Sequence, residues 1–178
     1  MFFFETYLHK VTKYDLINTF FYKNLIEIPK LEKIILNFGY HKLNFKYLIS
    51  GLLALEFISF KKGEITKSKH LNVFLKVKKG NPVGCKVILK KNLMLSFYLK
   101  LLTSIFSKTK HSQTPQFRWN LKLIKSASFR IKNPLLFTEL ENQFQFFKNI
   151  PQLDITLLTN SRSQKELAFL LKSAKFFL

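Results

Sequence analysis

The sequence of 178 residues predicts an α+β fold, with a mainly antiparallel sheet of about five strands and helices packed on one face. Two patterns predict it. Apolar and polar residues alternate in several short stretches, and apolar residues recur at helical spacing in longer ones. Hydrophobic residues make up 47% of the chain, which is enough for a buried core. Because no internal repeat or low-complexity linker interrupts these patterns, we expect a single domain over residues 1–178.

The first third of the chain predicts a helix, a strand and a second helix. The first helix is predicted by apolar residues at helical spacing, which are Tyr7, Val11, Tyr14, Ile17, Phe21 and Leu25. Pro29 ends that region, and alternation at Ile34, Leu36 and Phe38 predicts a strand that stops at Gly39. A helix is then predicted over residues 43–57, with the inward positions Tyr47, Leu48, Leu52 and Leu55.

Two alternating runs in the middle of the chain predict a β-hairpin. Residues 71–77 and residues 83–89 both carry apolar side chains at every odd position. Between them, Lys-Gly-Asn-Pro at residues 79–82 is a turn signal. Strand alternation places Cys85 on the apolar face as a small core residue. It directs a set of lysines away from that face, namely Lys76, Lys78, Lys86 and Lys90.

The last part of the chain predicts two helices separated by strands. Asn92 is the expected N-cap of a helix over residues 93–106, and the polar residues 107–116 predict a loop. A second hairpin with one basic face follows over residues 117–132, and residues 153–157 alternate as a final strand. Ser163, with Glu166 three positions later, predicts a capping box and a C-terminal helix.

The positive charge is concentrated in the middle of the chain. Lys and Arg number 30 against 10 Asp and Glu, a net charge of +20. Residues 58–132 hold 18 basic side chains and one acidic side chain, Glu64, so this segment alone carries +17. Such a segment predicts a surface that binds a polyanion, most naturally RNA. Because 27 of the basic residues are Lys and only three are Arg, we expect contacts to backbone phosphates more than to bases.

Aromatic residues lie among these basic residues and could stack on unpaired bases. Phe117, Trp119 and Phe129 share the apolar face of the predicted second hairpin, and we interpret them as core residues. Phe74 lies on the polar side of its predicted strand. It is therefore the candidate for stacking on an unpaired base.

The residue types needed for catalysis or metal binding do not cluster in the sequence. A single cysteine excludes a disulfide scaffold and a Cys-based zinc cluster. The four histidines lack metal-ligand spacing, and Glu139 and Glu141 have no acid–base partner near them in the sequence. We therefore expect no enzymatic activity, no metal and no cofactor. The apolar segment 47–60 is shorter than the ~20 residues that cross a membrane, so no membrane span is expected.

Composition also suggests a compartment. The first residues, Met-Phe-Phe-Phe-Glu, have no basic region before the apolar run and no Arg, unlike secretory and import signals. The excess of Phe, Lys and Asn is typical of AT-rich coding DNA. An organelle-encoded protein would show that bias and would need no import peptide. We expect a mitochondrial protein in preference to a plastid one.

Four segments resemble the family of universal large-subunit ribosomal protein five. Residues 65–69 and 78–87 read Ile-Thr-Lys-Ser-Lys and Lys-Lys-Gly-Asn-Pro-Val-Gly-Cys-Lys-Val. Bacterial members have Ile-Thr-Lys-Ala-Arg and Arg-Gln-Gly-Tyr-Pro-Ile-Gly-Cys-Lys-Val at the same spacing. Residues 28–39 and 153–156 resemble two further family segments in the correct order. The resemblance covers nearly the whole chain and is weak at residues 107–128.

The resemblance implies a structural role in the central protuberance of the large ribosomal subunit. Family members bind 5S ribosomal RNA, help to form a bridge to the small-subunit head and extend a loop towards the peptidyl-site tRNA. Asn37 takes the place of a family Asn in a turn that contacts 5S RNA. The loop facing tRNA corresponds to about residues 69–80, with His70, Asn72, Phe74, Lys76, Lys78 and Lys79. Together with the basic pattern, the resemblance predicts RNA contacts at Asn37, Gly39, Lys61, Lys62, Thr66, Lys67, Lys69, Lys86, Lys90, Arg118, Lys122, Arg130 and Lys132.

This chain departs from the family at several of those positions. Lys61 stands where the family has an RNA-contacting Gln, and Ile88 stands where it has Thr. Val73 and Phe74 replace Ala-Gly in the loop facing tRNA, which removes a glycine hinge. The RNA partner that the resemblance implies is 5S RNA, large-subunit RNA or both.

Three other functions are compatible with the composition. A peripheral membrane protein could place Lys and Phe on an anionic bilayer, but its basic residues should then cluster on an amphipathic helix. An RNA-processing enzyme, or another RNA-binding protein of an organelle, would also be basic, although the enzyme lacks a candidate catalytic cluster. We expect a ribosomal protein whose partners are ribosomal RNA, peptidyl-site tRNA and neighbouring ribosomal proteins, including those of the small-subunit head.

Overall fold

Helices and a six-stranded sheet make up the protein in a computed structural model, which describes residues 6–40, 45–74, 76–106 and 120–174. The strands are β1 (Leu31–Gly39), β2 (Glu64–Lys67), β3 (Pro82–Leu89), β4 (Asn120–Leu123), β5 (Ser126–Ile131) and β6 (Leu153–Thr159). Their order across the sheet is β2-β3-β1-β6-β5-β4, and β2–β3 and β4–β5 pair antiparallel. The predicted α+β class is confirmed, with six strands where about five were expected.

The helices vary from one turn to four. They are α1 (Lys13–Thr19), α2 (Phe45–Ser59), α3 (Lys91–Lys100), α4 (Thr138–Glu141), α5 (Phe144–Phe147) and α6 (Gln164–Ser173). A π-helical turn, Leu8–Thr12, precedes α1, and another, Leu101–Phe106, continues α3. Short 3₁₀ turns span Leu25–Glu27 and Pro134–Leu136.

The packing divides the chain into two compact units. The first comprises Met1–Ile34, Lys90–Phe129 and Thr156–Leu178, and the second comprises Ile35–Leu89 and Arg130–Ile155. The expectation of a single domain over residues 1–178 stays a prediction.

Helices α1, α3 and α6 each supply core residues to the first unit. Leu16, Tyr98 and Leu171 are at most 1% exposed. The Tyr98 hydroxyl donates a hydrogen bond to the carbonyl oxygen of Ala174, and burial raises its pKa because the phenolate would lose its hydration. The predicted capping box is confirmed in one half, since the Glu166 N–H donates to Ser163 Oγ over 3.2 Å at the start of α6. The Glu166 carboxylate accepts from the N–H of Arg162, one residue before the predicted donor, over 2.9 Å.

Helix α2 packs against β3 and against α4 and α5 in the second unit. The predicted alternation of β1 is confirmed within this unit, because Leu36 and Phe38 are fully buried. Cys85 on β3 is buried as expected, and burial raises the pKa of its thiol to about 11. Gly84 lies so close to β1 that a Cβ there would overlap the Phe38 carbonyl oxygen.

The predicted inward face of the first helix is wrong. The buried residues are Thr12 and Leu16, whereas Val11, Tyr14 and Ile17 are exposed. Regular helix also ends at Thr19, so the predicted positions Phe21 and Leu25 lie beyond it and are exposed. Apolar residues lie on both sides of this helix, with Leu16 on one side and Val11, Tyr14 and Ile17 on the other, so helical spacing alone did not identify the side that packs.

The predicted strand over residues 71–77 is also wrong. Asn72 and Val77 form a single isolated bridge, and Lys76 adopts a left-handed backbone with φ 52°. The strand that pairs with β3 is β2, in the register Glu64↔Lys86 and Ile65↔Cys85. Alternation alone could not identify the strand, because a strand also needs a neighbour with which to form hydrogen bonds.

Two further predictions concern helix ends and the second hairpin. Asn92 is not the N-cap of α3, since the helix begins at Lys91 and Lys90 is the capping residue with an extended backbone. The second hairpin is confirmed as β4 and β5, and Phe129 is a core residue at 3% exposure. The predicted loop 107–116, and the core positions Phe117 and Trp119, lie outside the described residues.

Candidate nucleic-acid interface

The loop between β2 and β3, residues 68–81, forms a basic arm. Two backbone hydrogen bonds link its base, from Ser68 N–H to the Asn81 oxygen over 2.8 Å and from Gly80 N–H to the Ser68 oxygen over 2.9 Å. Further out, Asn72 and Val77 exchange two backbone hydrogen bonds of 2.9 and 3.0 Å. The arm therefore continues the β2–β3 pairing in an irregular form.

Positive charge and apolar side chains share the surface of the basic arm. The arm contains four lysines and His70 and no acidic residue. Lys69, His70, Asn72, Lys76, Lys78 and Lys79 are all exposed. Val73 and Phe74 are 75% and 99% exposed at the tip, where Lys76 N–H donates to the Val73 oxygen over 3.1 Å. Such a tip can offer a ring face to a base and ammonium groups to the flanking phosphates.

Strands β1, β2 and β3 carry the next group of predicted RNA-binding residues. Thr66 and Lys67 lie on β2, and Asn37 and Gly39 lie on β1. Asn37 is a half-buried residue inside strand β1, as the alternation predicted, and not in the turn that the family resemblance implied. The strands approach closely here, since a Cβ on Gly84 would lie 2.9 Å from Thr66 Oγ1.

Lys61 and Lys62 follow α2 and are both exposed. Phe60 adopts a left-handed backbone with φ 54°, so the chain turns sharply just before them. Lys61 Nζ donates a hydrogen bond to the carbonyl oxygen of Ile88 over 2.8 Å. Two of the positions at which this chain departs from the resembled family, Lys61 and Ile88, are thus in direct contact, and the hydrogen bond holds the Lys61 ammonium group at β3.

Acidic partners already engage two of the predicted RNA-binding residues. Lys86 Nζ lies 3.6 Å from Glu64 Oε2. Arg130 donates to both carboxylate oxygens of Asp154, over 2.5 and 3.2 Å. The Asp154 carboxylate raises the pKa of Arg130, chiefly through these hydrogen bonds. The guanidinium therefore stays charged, and the negative charge of Asp154 balances it. Glu64 and Asp154 therefore lower the local positive charge.

The remaining predicted RNA-binding residues fall into three cases. Lys132 is exposed just after β5, and Lys90 is exposed before α3 in the first unit. Arg118 lies outside the described residues, and Lys122 belongs to β4 with its side chain outside the described part. Sequence reasoning missed Lys125, which is exposed at the turn between β4 and β5. A basic residue between two alternating runs was the signal that could have identified it.

The second unit thus brings together the basic arm, Lys61, Lys62 and the exposed ends of β1 to β3. Their ammonium groups and backbone geometry suit the binding of phosphate oxygens. Within residues 6–40, 45–74, 76–106 and 120–174, no group of three or more His, Cys, Asp or Glu could hold a metal ion. None of the helices described is long and apolar enough to cross a membrane.

The α+β fold and the exposed lysine-rich arm indicate the class of basic proteins that bind polyanions. No family model matches the chain. Similarity to individual proteins is extensive, however. The chain is 34% identical over 161 residues to the large ribosomal subunit protein uL5 of Wigglesworthia glossinidia brevipalpis, covering 89% of each sequence. It is 30% identical over 169 residues to the uL5m protein of Reclinomonas americana, covering 94% of this chain and 92% of that one.

A clostridial relative matches equally well. The large ribosomal subunit protein uL5 of Clostridium acetobutylicum is 31% identical over 167 residues, covering 88% of this chain. The chain therefore belongs to the uL5 family of large ribosomal subunit proteins, as the four sequence segments indicated. Bacterial and mitochondrial members are similarly close.

Proposed function

We propose that this protein is a structural constituent of the large ribosomal subunit and binds ribosomal RNA without catalysing a reaction. Family membership supports the ribosomal role. The observation that carries RNA binding is the stretch from residue 65 to residue 132, which contains no acidic side chain. In an assembled subunit, phosphates would neutralise the repulsion that this charge creates in the isolated chain.

The exposed lysines proposed to contact ribosomal RNA would act by releasing counterions from it. Each phosphate that a lysine neutralises adds about 0.7–0.9 to the slope of log affinity against log salt. We therefore expect ribosomal RNA to dissociate steeply as salt rises. A nearly flat salt response would reject phosphate binding as the mechanism.

Charge-matched variants separate the arm from the overall charge. Changing Lys76, Lys78 and Lys79 to Gln should lower the salt slope of tRNA binding to the subunit by about 2–3 if each lysine contacts a tRNA phosphate. The control changes another exposed set, Lys148, Lys165 and Lys172, and removes the same charge. An equal decrease of the salt slope in both variants would mean that only the net charge of the chain affects binding.

The finer family roles follow as proposals for this chain. We propose that Asn37, Gly39 and Thr66 face 5S RNA or its substitute, and that Lys61 replaces a polar base contact by a phosphate contact. Its hydrogen bond to Ile88 supports this, because it holds the ammonium group at one place on β3. The bridge to the small-subunit head is proposed on the family resemblance alone.

We propose that the basic arm faces the peptidyl-site tRNA and that Phe74 stacks there. The 99% exposure of Phe74 supports it, because a ring without a packing role is free to meet a base. Phe74→Ala should weaken tRNA binding to the subunit about 5- to 150-fold, given ~1–3 kcal/mol per stacked base. Phe74→Trp should retain binding. Unchanged affinity in Phe74→Ala would reject stacking.

A mitochondrial location is proposed on composition and on the similarity to the uL5m protein. The test is to purify the particles that contain this chain and sequence their RNA. Mitochondrial ribosomal RNA would support the location, and the presence or absence of 5S RNA would identify the RNA partner. Recovery of the chain on floating anionic vesicles, without ribosomal RNA, would favour the peripheral membrane alternative.

A further inference from the structure

Helix α2 is apolar on two opposite sides. Its inner side packs in the second unit through residues such as Leu48, Ala54 and Leu55. Its outer side carries an apolar stripe, which consists of Phe45, Ile49, Leu53 and Phe57 at 73%, 43%, 46% and 39% exposure. Only two of the 15 residues in the helix are charged. A helix that faces water normally carries polar residues outward, so this helix has the composition of one covered on both sides.

The exposed apolar surface is large enough to bind a partner. With about 150–250 Å² for a whole aromatic side chain, the apolar stripe exposes on the order of 400 Å². Helix α5 adjoins it, because the rings of Phe57 and Phe147 meet edge to face with centroids 5.8 Å apart. Phe144 and Phe146 on α5 are a further 49% and 74% exposed. Phe144 lies one turn before Phe147, so with it the stripe offers roughly 500 Å², the one-sided area of a small protein–protein interface.

The chemistry of the stripe identifies the kind of partner. The charges of α2, Lys46 and Glu56, cancel, so the helix offers little to the phosphates that the basic arm attracts. A second copy of the chain is disfavoured, because two molecules of charge +20 repel each other. The partner that fits the stripe is therefore a helix of another protein with an apolar face. The stripe follows the i, i+4 ridge of α2, the geometry that packs into the groove of another helix.

We propose that the apolar stripe of α2 binds an amphipathic helix of a neighbouring protein within the large ribosomal subunit. The partner helix would place aliphatic or aromatic residues at positions i, i+3 or i+4, and i+7 against Ile49 and Leu53. The stripe shares no residue with those proposed to contact ribosomal RNA or tRNA. The inference rests on the proposed function in one respect, namely that the partner belongs to the large ribosomal subunit.

Radical footprinting tests the proposal on the natural particle. Hydroxyl radicals would oxidise two samples, the free chain and purified large subunits that lack small subunits and tRNA. Mass spectrometry would then measure the labelling of each side chain. Leu53 and Phe57 should be labelled at least about 10-fold less in the subunit. Fully buried Leu55 on the inner side of α2 is the internal control, because it should stay unlabelled in both.

Nuclease treatment identifies what covers the stripe. Protection of Leu53 that survives digestion of the RNA, within the protein complex that remains, supports a protein partner. Protection lost together with the RNA would overturn the proposal in favour of RNA. Full labelling of Leu53 in intact subunits would overturn it as well. Absence of the chain from large subunits would instead reject the proposed function, so the two failures are distinguishable.

Two substitutions at one position separate docking from folding. Leu53→Glu places a charge at the centre of the stripe and should weaken retention of the chain in salt-washed subunits at least about 30-fold. Leu53→Met keeps the position apolar and should be retained normally. Both free variants should melt near the wild-type temperature, since Leu53 is 46% exposed. Equal retention of both, or a wild-type chain that dimerises through α2 in light scattering, would overturn the proposal.

Discussion

Gly84 provides the sharpest test of how the sheet packs. A Cβ on Gly84 would overlap the carbonyl oxygen of Phe38 and lie 2.9 Å from Thr66 Oγ1. The first of these is a backbone atom of β1, which cannot rotate away as a side chain could. Gly84→Ala must therefore displace a strand or distort the substituted residue. This close approach explains the glycine in the Pro-Val-Gly-Cys segment.

The expected cost of Gly84→Ala follows from that geometry. Overpacking a well-packed site costs about 1–3 kcal/mol, and the rigid obstacle favours the upper part of that range. The substitution also reduces the conformational freedom of the unfolded chain, which stabilises the protein by about 0.4–1 kcal/mol and offsets part of that cost. A net loss near 2 kcal/mol lowers the melting temperature by about 4–8 °C in a chain of this length.

Thermal unfolding by far-ultraviolet circular dichroism, at one fixed salt concentration, measures the effect. Gly39→Ala is the matched control, because nothing lies within 4 Å of a Cβ there. Gly51→Ala should fall between the two, since its obstacles are the side chains of Tyr40 and Cys85. A Gly84→Ala protein that melts within about 1 °C of wild type, or a Gly39→Ala protein that melts equally early, would refute the close approach of β1 and β3.

Three further predictions concern the thiol, a helix cap and an ion pair. The pKa of Cys85 is raised to about 11 by burial, so iodoacetamide at pH 8 should alkylate it only after unfolding, as mass spectrometry can show. Ser163→Ala removes the cap of α6 and should cost about 1 kcal/mol, or about 2–4 °C in melting temperature, whereas Ser163→Asp should not. Asp154→Asn releases Arg130 and should raise the salt slope of RNA binding by about 0.7–0.9; an unchanged slope would mean that Arg130 does not reach a phosphate.

Local signals predicted several elements correctly. The side-chain cap at Ser163 joins groups only three residues apart, so the sequence contains the whole of that hydrogen bond. The alternation of β1 was equally reliable, because Ile34, Leu36 and Phe38 all belong to one buried face. The exposed lysines of the basic arm were also predictable, since a run of charges without acids has to lie at the surface.

Other features depended on partners distant in the sequence. Asp154, 24 residues from Arg130, compensates its charge, and Lys61 reaches the Ile88 carbonyl 27 residues away. The exposure of the apolar stripe of α2 could not be predicted from the sequence for a related reason. Apolar spacing on a helix that is apolar on two sides does not say which side is buried. The same ambiguity misassigned the inward face of the first helix.

The sequence alone determined the α+β class, the family and the concentration of charge in the middle segment, because these depend on residue types and short-range patterns. Only the tertiary structure decided that β2 pairs with β3 while residues 71–77 form the outer part of an arm. It also decided which charges acidic partners compensate and which side of α2 stays exposed. The physical reason is the same in each case. Pairing, compensation and burial are relations between residues that the chain brings together only when it folds.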